Sequence, residues 1–553
     1  MLVLIVAPAA TAGAICLDRA RGNLTHMLVT DLGDAEIVLG KLAARLMPVL
    51  GLVAATIPVL ALAGLLGGVI MEAILTLTLV TVALAIFGCT LALAISVRAT
   101  KTHEVLMAVY AIEAAWVLGP IVWSLLAETD VVSGTPAWFV DINPFVLAWA
   151  PYVARWRSLG VAWFAGVLGG VLAISAGLTV YAVLRLRAEV ARGTGPRASG
   201  MSTRLGRIHA RLSAWRPGPS LDSDPVLWRE SRRGWPSRLA KVVWGVFIAL
   251  SLAGTGWGIV TTADDHNSGR EFLLFVSGLE ATFALLLVSL AAPTVLAEER
   301  VRGSLDVLMT TPLSTERIVL AKWWAAYRTV PVLALLPAIG AVFIAASAPE
   351  VSPRVGRFQP TPAPLDVIDR IAYVFLPMGM LLAQGAAVIS MGLALATWSR
   401  RVGRAVAMSV TAYAFVAFIS PILIEIMPEA LIGLGLVARG DQASMAFFTE
   451  VVATACPIGG QLVTSLTASF PTSQSRVAFY IGQVIVLLAT LGFSLIVLAS
   501  TIATFDRCVG RVSERPRRAR RPPRRVAARR GPHARSGDVG RPGVAEPALG
   551  AGL

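Results

Sequence analysis

Long unbroken apolar runs recur along this chain, and they constrain its fold more than any other feature. Runs of 18 or more residues, rich in Leu, Val and Ala, are long enough to cross a hydrocarbon core of about 30 Å as helices. Backbone groups have no water to bond inside lipid, so a span must be a helix or part of a closed barrel, and these runs lack the alternation of barrel strands. Only 15% of the residues are charged, against about 25% in soluble domains. The sequence therefore predicts an all-α polytopic membrane protein.

Eleven segments are apolar and long enough to be transmembrane helices. Their approximate boundaries are 1–16, 42–68, 70–96, 104–127, 160–186, 240–262, 272–297, 320–346, 370–398, 405–427 and 476–505. Loops rich in Lys and Arg stay on the cytoplasmic side of a membrane, and the segment from Arg185 to Lys241 holds 13 basic and four acidic residues. With that segment inside, the loops alternate consistently, and the C-terminus is predicted to lie in the cytoplasm.

Basic residues also dominate the C-terminal tail, residues 506–553. It carries 13 arginines among many Pro, Gly and Ala residues, a composition too polar and self-repelling to form a core, so we expect it to be disordered. One interpretation is contact with anionic lipid headgroups, worth about 1 kcal/mol per basic residue; the other is an incidental tail in an arginine-rich, lysine-poor chain. The net charge of +15 does not indicate nucleic-acid binding, because the arginines cluster between and after the spans.

Two polar segments of the chain repeat each other without a gap. Residues 17–41 (LDRARGNLTHMLVTDLGDAEIVLGK) and 298–322 (EERVRGSLDVLMTTPLSTERIVLAK) are identical at ten of 25 positions, which include two of the chain's only four lysines. A second echo pairs LALAISVR, residues 91–98, with LALATWSR, residues 393–400. The sequence therefore predicts two pseudo-repeated helical bundles, an arrangement that places a transport pathway between related halves.

The two repeated segments are predicted to be docking loops. A loop that only connects helices has little physical reason to keep the same side chains after a duplication, whereas a docking surface does. The second copy looks like a short amphipathic helix at the membrane face, broken at Gly303 or Pro312, with Leu305 and its apolar neighbours on one side. Interfacial anchoring is the alternative for the charged residues 298–302.

The second copy also carries a family resemblance. Its pattern acidic-Arg-x-x-Gly-x-Leu, Thr-Pro-Leu-Ser and Ile-Val-Leu-x-Lys resembles the first cytoplasmic loop of ABC-2 type permeases. DPVLWRE, residues 224–230, is similar to the amphipathic entry segment before such a permease's first span. In that family six spans form one unit, two units form a functional pair, and a coupling helix in the loop contacts an ATP-binding subunit. The resemblance implies the permease subunit of an ABC exporter in a bacterial plasma membrane.

The resemblance assigns residues to two coupling loops and one entry helix. The residues of coupling loop 1 are Asp18, Arg19, Arg21, Gly22, Leu24 and Lys41. The residues of coupling loop 2 are Glu298, Glu299, Arg300, Arg302, Gly303, Leu305, Pro312 and Lys322. The residues of the entry helix are Pro225, Trp228, Arg229 and Glu230. The ATP-binding subunit and the lipid bilayer are the expected partners, and the chain itself is expected to hold no cofactor, metal or catalytic residue.

The implied organisation has four parts. They are a first permease unit over residues 1–187, a basic linker with the entry helix over 188–239, a second unit over 240–505 and the tail over 506–553. Short external helices would lie in residues 128–159 and 428–475, with breaks at Asn143-Pro144 and Cys456-Pro457.

The first unit departs from the family pattern in two respects. Asp31 stands where Pro312 stands in the second copy, so the first loop is expected to have a different shape there. The chain also begins within that unit's second span, without a counterpart of the first span or of DPVLWRE. We expect an upstream reading frame to encode both.

The chain lacks the motifs of an enzyme. The phosphate-binding motif GxxxxGK followed by Ser or Thr does not occur, since Gly40-Lys41 precedes Leu42. The glutamates 298 and 299 are similar to the start of the EExxxR signature of CAAX proteases, but Gly303 stands where the arginine belongs and the histidine motifs are missing. The four cysteines show no metal-ligand spacing. An intramembrane peptidase is therefore the weaker of two alternatives.

An ion-coupled secondary carrier is the stronger alternative. A carrier of this kind uses buried carboxylates, and Glu113 and Glu280 lie within predicted spans. Both are placed where they can face the interface between the halves. Neither has a matching basic partner or an unwound Gly/Pro pair in the sequence, so the ATP-driven permease is favoured.

Overall fold

The computed structural model of the chain is helical throughout the part that it describes. That part comprises residues 2–67, 70–99, 101–128, 133–152, 160–193, 225–231, 238–264, 266–301, 303–347, 367–399, 401–433 and 473–510. Several sequence predictions lie outside these residues: Arg302, most of the basic linker, the external segment 434–472 with Cys456-Pro457, and the tail beyond residue 510. Every regular element within the described ranges is a helix.

Among the described residues, eight helical segments are long and apolar enough to cross a membrane, or nine if the bent pair over residues 3–19 and 23–29 forms one span. The eight are Asp34–Leu65, Met71–Arg98, Gly160–Val190, Lys241–Thr262, Phe272–Val301, Thr315–Ala346, Val367–Trp398 and Phe479–Val509. All eight coincide with predicted spans, and the prediction of an all-α, multi-pass membrane protein is confirmed. The predicted spans 104–127 and 405–427 are helical but are not among the eight, so the count of eleven stays a prediction.

The N-terminal half, residues 2–193, contains the first nine α-helices. They are α1 (Leu2–Thr11), α2 (Cys16–Ala20), α3 (Asn23–Val29), α4 (Asp34–Leu65), α5 (Met71–Arg98), α6 (Thr102–Glu128), α7 (Ala137–Asp141), α8 (Pro144–Trp149) and α9 (Gly160–Gly193). The predicted break at Asn143-Pro144 is present, because Asn143 caps α8 by accepting a hydrogen bond from the backbone of Phe145 at 3.0 Å, and Pro144 is the first residue of the helix.

The C-terminal half, residues 225–510, contains the remaining helices of the described chain. They are α10 (Pro225–Ser231), α11 (Arg238–Asp264), α12 (His266–Ala291), α13 (Thr294–Val301), α14 (Ser304–Met309), α15 (Thr315–Tyr327), α16 (Val330–Leu333), α17 (Leu335–Ser347), α18 (Val367–Trp398), α19 (Val402–Gly433) and α20 (Ser473–Val509). The span that is one helix in the first half, α4, is divided here into α15, α16 and α17, with Pro331 in the first turn of α16; α4 contains Pro48 and Pro58 without a break.

The helices of the two halves have equivalent packing neighbours. In the first half α5 packs against α1, α4 and α9, and in the second half α18 packs against α12, α17 and α20. The halves meet where α1 packs against α19 and where α6 packs against α11 and α12. One buried apolar cluster contains Ala9 of α1 together with Ala405 and Val406 of α19. The largest buried cluster therefore includes the boundary between the halves.

Two glycines shape the polar loops that follow α1 and α12. Gly22 lies between α2 and α3, and Gly303 lies between α13 and α14, with φ angles of 78° and 72°. Side chains on L-residues disfavour this left-handed region. A Cβ atom would meet no other atom within 4 Å at either position. The requirement for glycine therefore comes from the backbone turn and not from packing.

Replacing Gly303 with alanine should lower the free energy of unfolding by about 1 kcal/mol, because a left-handed L-residue costs about 1–2 kcal/mol. Gly22→Ala should have the same effect, since its φ angle is similar. The measurement is thermal unfolding of the purified protein in detergent. Gly51→Ala is the matched control, because Gly51 lies inside α4 with the same open space around it and alanine favours a helix. A Gly303→Ala protein as stable as the Gly51→Ala protein would contradict the backbone argument.

Candidate functional site

The two predicted coupling loops follow the same path through the structure. Loop 1 is defined as residues 17–41 and loop 2 as residues 298–322. In each loop a short helix ends, the chain turns at the left-handed glycine, a second short helix follows and a long helix begins. The cap positions of the two long helices also match, at Gly33 and Ser314. The shared sequence is therefore accompanied by a shared local conformation.

The matched lysines form matched ion pairs. Lys41 Nζ contacts Asp18 Oδ2 in loop 1, and Lys322 Nζ lies 2.5 Å from Glu299 Oε2 in loop 2. In both cases the lysine belongs to the long helix and the acid belongs to the short helix before the glycine. Asp18 and Glu299 occupy equivalent positions in the repeat although they are not identical. In each loop the ion pair therefore connects the short helix before the glycine to the long helix at the end of the loop.

The matched arginines bind the carbonyl ends of two other helices. Arg19 Nη2 donates to the Val97 carbonyl at 2.5 Å, at the end of α5. Arg300 Nη1 donates to the carbonyls of Ser399 at 2.8 Å and Ala396 at 3.0 Å, at the end of α18. The last carbonyls of a helix lack intrahelical donors and carry partial negative charge, so a guanidinium satisfies both requirements. Val97 and Ser399 are equivalent in the second sequence echo, so the contact itself is repeated.

Two further pairs of matched residues have the same role in each loop. Leu24 and Leu305 are fully buried. Thr30 and Thr311 each donate the side-chain hydroxyl to the carbonyl three residues earlier, at 2.6 Å. Those carbonyls lie near the ends of α3 and α14, where intrahelical donors are lacking. These contacts stabilise the short helices.

The repeated side chains make contacts within the chain, and these contacts are themselves a reason for the side chains to be retained after a duplication. The sequence interpretation attributed their retention to docking, and their coupling role stays a prediction. Among the assigned residues, Arg21 and Pro312 are exposed, and Arg302 lies outside the described chain. The most exposed apolar side chains on the two short helices were not assigned from the sequence. They are Val29 of α3, 83% exposed, and Val307 of α14, 69% exposed.

The entry helix is part of the same assembly as loop 2. α10 packs against α15, and Val226 of α10 is buried in the main apolar cluster. Glu230 Oε1 accepts a hydrogen bond from Lys322 Nζ at 3.4 Å, and Arg229 Nη2 lies 3.8 Å from Glu299 Oε1. The structure therefore brings residues predicted for the entry helix and for loop 2 into one charged cluster. The other two assigned residues of α10 are half-buried: Pro225 and Trp228.

The charged clusters of the two loops differ in burial. The side chains of Lys322 and Glu299 are 1% and 2% exposed, whereas those of Lys41 and Asp18 are 15% and 24% exposed. A buried charge is costly unless it is paired and hydrogen-bonded. Glu230 provides Lys322 with a second carboxylate, and Arg229 lies beside the resulting negative charge. Loop 2 is thus the more tightly enclosed of the two.

A contact between the halves was missed by sequence reasoning. His103 Nδ1, at the start of α6, lies 2.5 Å from Glu298 Oε1 on α13. The two residues are 195 positions apart, and no local pattern pairs them. The only signal in the sequence was that each lies at the end of a predicted span. Glu298 was assigned to coupling loop 2, and the structure places it against the first half.

The two intramembrane carboxylates of the carrier hypothesis have different surroundings. Glu113 of α6 lies beside Gly88 of α5, whose added Cβ would be 3.3 Å from Glu113 Oε1. Glu280 of α12 accepts a hydrogen bond from the hydroxyl of Thr255 on α11 at 2.7 Å. Within the described chain, Glu113 Oε1 and Glu280 Oε2 are buried without a hydrogen-bond partner. Neither carboxylate forms an ion pair with a described residue.

No described group of three or more His, Cys, Asp or Glu side chains is placed to hold a metal ion. Comparisons of the chain with protein-family models, with curated protein sequences and with solved structures find no match. The resemblance to ABC-2 type permeases therefore rests on the loop and entry-helix residues alone.

Replacing Lys322 with methionine should lower the free energy of unfolding by about 3–5 kcal/mol, because two buried carboxylates lose their cation. Lys41→Met removes the equivalent cation from a partly exposed pair and should lower it by about 1 kcal/mol or less. Chemical or thermal unfolding in detergent measures both. Adding Glu299→Gln and Glu230→Gln to Lys322→Met should restore most of the stability. Equal losses for the two lysine variants would contradict the difference in burial.

Proposed function

We propose that this chain is the membrane-spanning permease subunit of an ATP-driven ABC transporter, an exporter, which couples to a separate ATP-binding subunit through loops 1 and 2. The observation that supports the proposal most is the pair of loops with the same turn, ion pair and arginine contact at equivalent places in the two halves. A dimer of ATPases needs two equivalent points of contact on its permease. The partner binds the ATP, so the chain itself needs no cofactor, metal or catalytic residue.

The contacts within each loop provide a route from the partner to the spans. A force on α14 would pass through the turn at Gly303 to α13, and from α13 it would reach α15 through the pair between Glu299 and Lys322 and α18 through Arg300. In the first half α3 connects through Gly22 to α2, and Asp18 and Arg19 join α2 to α4 and α5. Both routes lead away from a short helix that presents an exposed valine. Movement of the halves would then alter the boundary formed by α1 with α19 and by α6 with α11 and α12.

The proposal includes a topology for the whole chain. Two pseudo-repeated bundles with eleven spans in total would lie in a bacterial plasma membrane, with the C-terminus in the cytoplasm. The loops 1 and 2 and the basic linker would then share the cytoplasmic side, as the distribution of Lys and Arg requires. The arginine-rich tail would lie near anionic lipid headgroups, and nucleic acid is not an expected partner.

The ion-coupled carrier is the second candidate function. Glu113 and Glu280 each have a buried oxygen without a partner in the described chain, which is a feature of ion-binding sites in membrane proteins. The peptidase alternative has less support, because Glu298 binds His103 and Glu299 binds Lys322. Both glutamates are therefore engaged in contacts that hold the fold together.

Val29→Asp and Val307→Asp should each reduce co-purification of the ATP-binding subunit that the proposal requires, which is sought as the product of an adjacent gene with Walker motifs. The expected reduction is about tenfold, which corresponds to about 1.4 kcal/mol, because a charge would replace an apolar contact on a short helix. The two proteins are co-expressed, and the complex is quantified after affinity purification through the permease.

The matched control is Val161→Asp. Val161 is 84% exposed and lies in the first turn of α9, at the other end of that helix from Arg187, which pairs with Asp34 of loop 1 at 2.6 Å. The control variant should retain the ATPase at the wild-type level. Undiminished association of both loop variants, or an equal loss in the control, would overturn the coupling proposal.

A further inference from the structure

Glu113 is a carboxyl group buried deep in the helical bundle. It lies 11 residues after the start of α6 at Thr102, a rise of about 16 Å along the helix, which is near the middle of a hydrocarbon core of about 30 Å. Only 4% of the residue is exposed. Its Oε1 atom is fully buried, and no described group forms a hydrogen bond with it.

The polar groups around Glu113 are already engaged with the backbone of α1. The hydroxyl of Tyr110, one turn earlier in α6, donates to the carbonyl of Ile5 at 2.6 Å. The thiol of Cys89 and the hydroxyl of Thr11 both donate to the carbonyl of Ala7, at 3.5 Å and 3.1 Å. None of these donors is directed at the carboxyl group.

No described basic residue pairs with Glu113, and the charged residues of α11 lie only in its first and last turns. Cys89 on α5 and Tyr110 on α6 are the titratable groups that interact with Glu113, and α1 contains no titratable side chain. In the parts of α12 and α19 that lie inside the span and are described, the titratable groups have other partners: Glu280 binds Thr255, and Tyr413 binds the Thr282 carbonyl.

A negative charge at this position would therefore be uncompensated. Burial of an unpaired carboxylate costs several kcal/mol, whereas a carboxylic acid avoids that cost and gains a hydroxyl donor. Pro8 of α1 lies beside the same Gly88 as Glu113 Oε1. Because proline has no backbone N–H, the carbonyl of Leu4 lacks its helical donor. The site thus offers acceptors in α1 and a group that becomes a donor when it binds a proton.

α1 also makes one of the contacts between the two halves. A Cβ atom on Gly403 of α19 would lie 3.0 Å from the carbonyl of Ala9, so the two helices touch without room for a methyl group. Ala9 directly follows Pro8, and Ile5 is held by Tyr110 one turn from Glu113. A charge on Glu113 would draw water towards this part of α1 and loosen its contact with α19.

We propose that Glu113 is a proton-binding site within the membrane, and that its protonation holds α1 in contact with α19. The site is independent of the proposed ATPase partner, because a proton on Glu113 would influence the boundary between the halves whichever energy source moves them.

Infrared spectroscopy of the whole chain in lipid vesicles at neutral pH tests the protonation. The difference spectrum between the wild type and Glu113→Gln should show the loss of one carboxylic-acid C=O band. Gly88→Ala should shift that band and keep it, because its new methyl group would lie 3.3 Å from Glu113 Oε1. If Glu113→Gln removed carboxylate bands and left the acid band, the proposal would be overturned. It would also be overturned if Gly88→Ala affected carboxylate bands and left the acid band unchanged.

Hydrogen exchange tests the link to α1. As the pH is raised until the carboxylic-acid band of Glu113 disappears, and after correction for the intrinsic pH dependence of exchange, protection of residues 2–11 should fall at least threefold in the wild type and stay constant in Glu113→Gln. Glu280→Gln is the matched control and should respond as the wild type does. A constant wild type, or an equal fall in Glu113→Gln, would overturn the link. Both measurements are made without an ATPase, so failure of the coupling proposal would leave them unaffected.

Discussion

The carbonyl groups at the end of a buried helix need donors, and this requirement shapes both polar loops of the chain. α5 and α18 end against Arg19 and Arg300, which donate to their last carbonyls. An arginine can donate to these carbonyls only if the short helix that carries it stays in a fixed position. The neighbouring acidic residue holds the short helix in that position, because it pairs with a lysine on the long helix that follows. The glycine turn then allows the chain to reverse between the two contacts.

This chain of requirements explains which residues are repeated. The arginine, the acid, the glycine, the buried leucine and the lysine each make an intramolecular contact or a backbone turn that the others depend on. Exposed positions follow no single rule: His26 and Val307 differ at equivalent positions, whereas the exposed Leu39 is repeated as Leu320. The contacts within the loops therefore account for the repeated residues that are buried or paired.

Much of the fold could be predicted from the sequence because lipid imposes a simple rule. Apolar runs of sufficient length must be helices, and eight predicted spans coincide with helices that satisfy the same criterion in the structure. Spans 104–127 and 405–427 are also helical in the structure, over Thr102–Glu128 and Val402–Gly433. The repeat aligns Lys41 with Lys322 and Asp18 with Glu299, but it did not predict that each lysine pairs with its acid. The second carboxylate on Lys322 was not predicted either, since Glu230 belongs to a segment 92 residues away in the chain.

The contacts between the halves could not be predicted, for a physical reason that also concerns the energy source. Packing of α1 against α19 depends on small residues such as Ala9 and Gly403, which carry no pattern that distinguishes them from other small residues in apolar helices. Glu113 was noticed in the sequence only as a carboxylate within a span, and its importance depends on what surrounds it. A basic partner would have made it a structural ion pair. No described group forms a hydrogen bond with its buried Oε1, and the nearby hydroxyls and thiol donate to carbonyls of α1. The carboxyl group is therefore left to bind a proton next to a helix that contributes to the boundary between the halves.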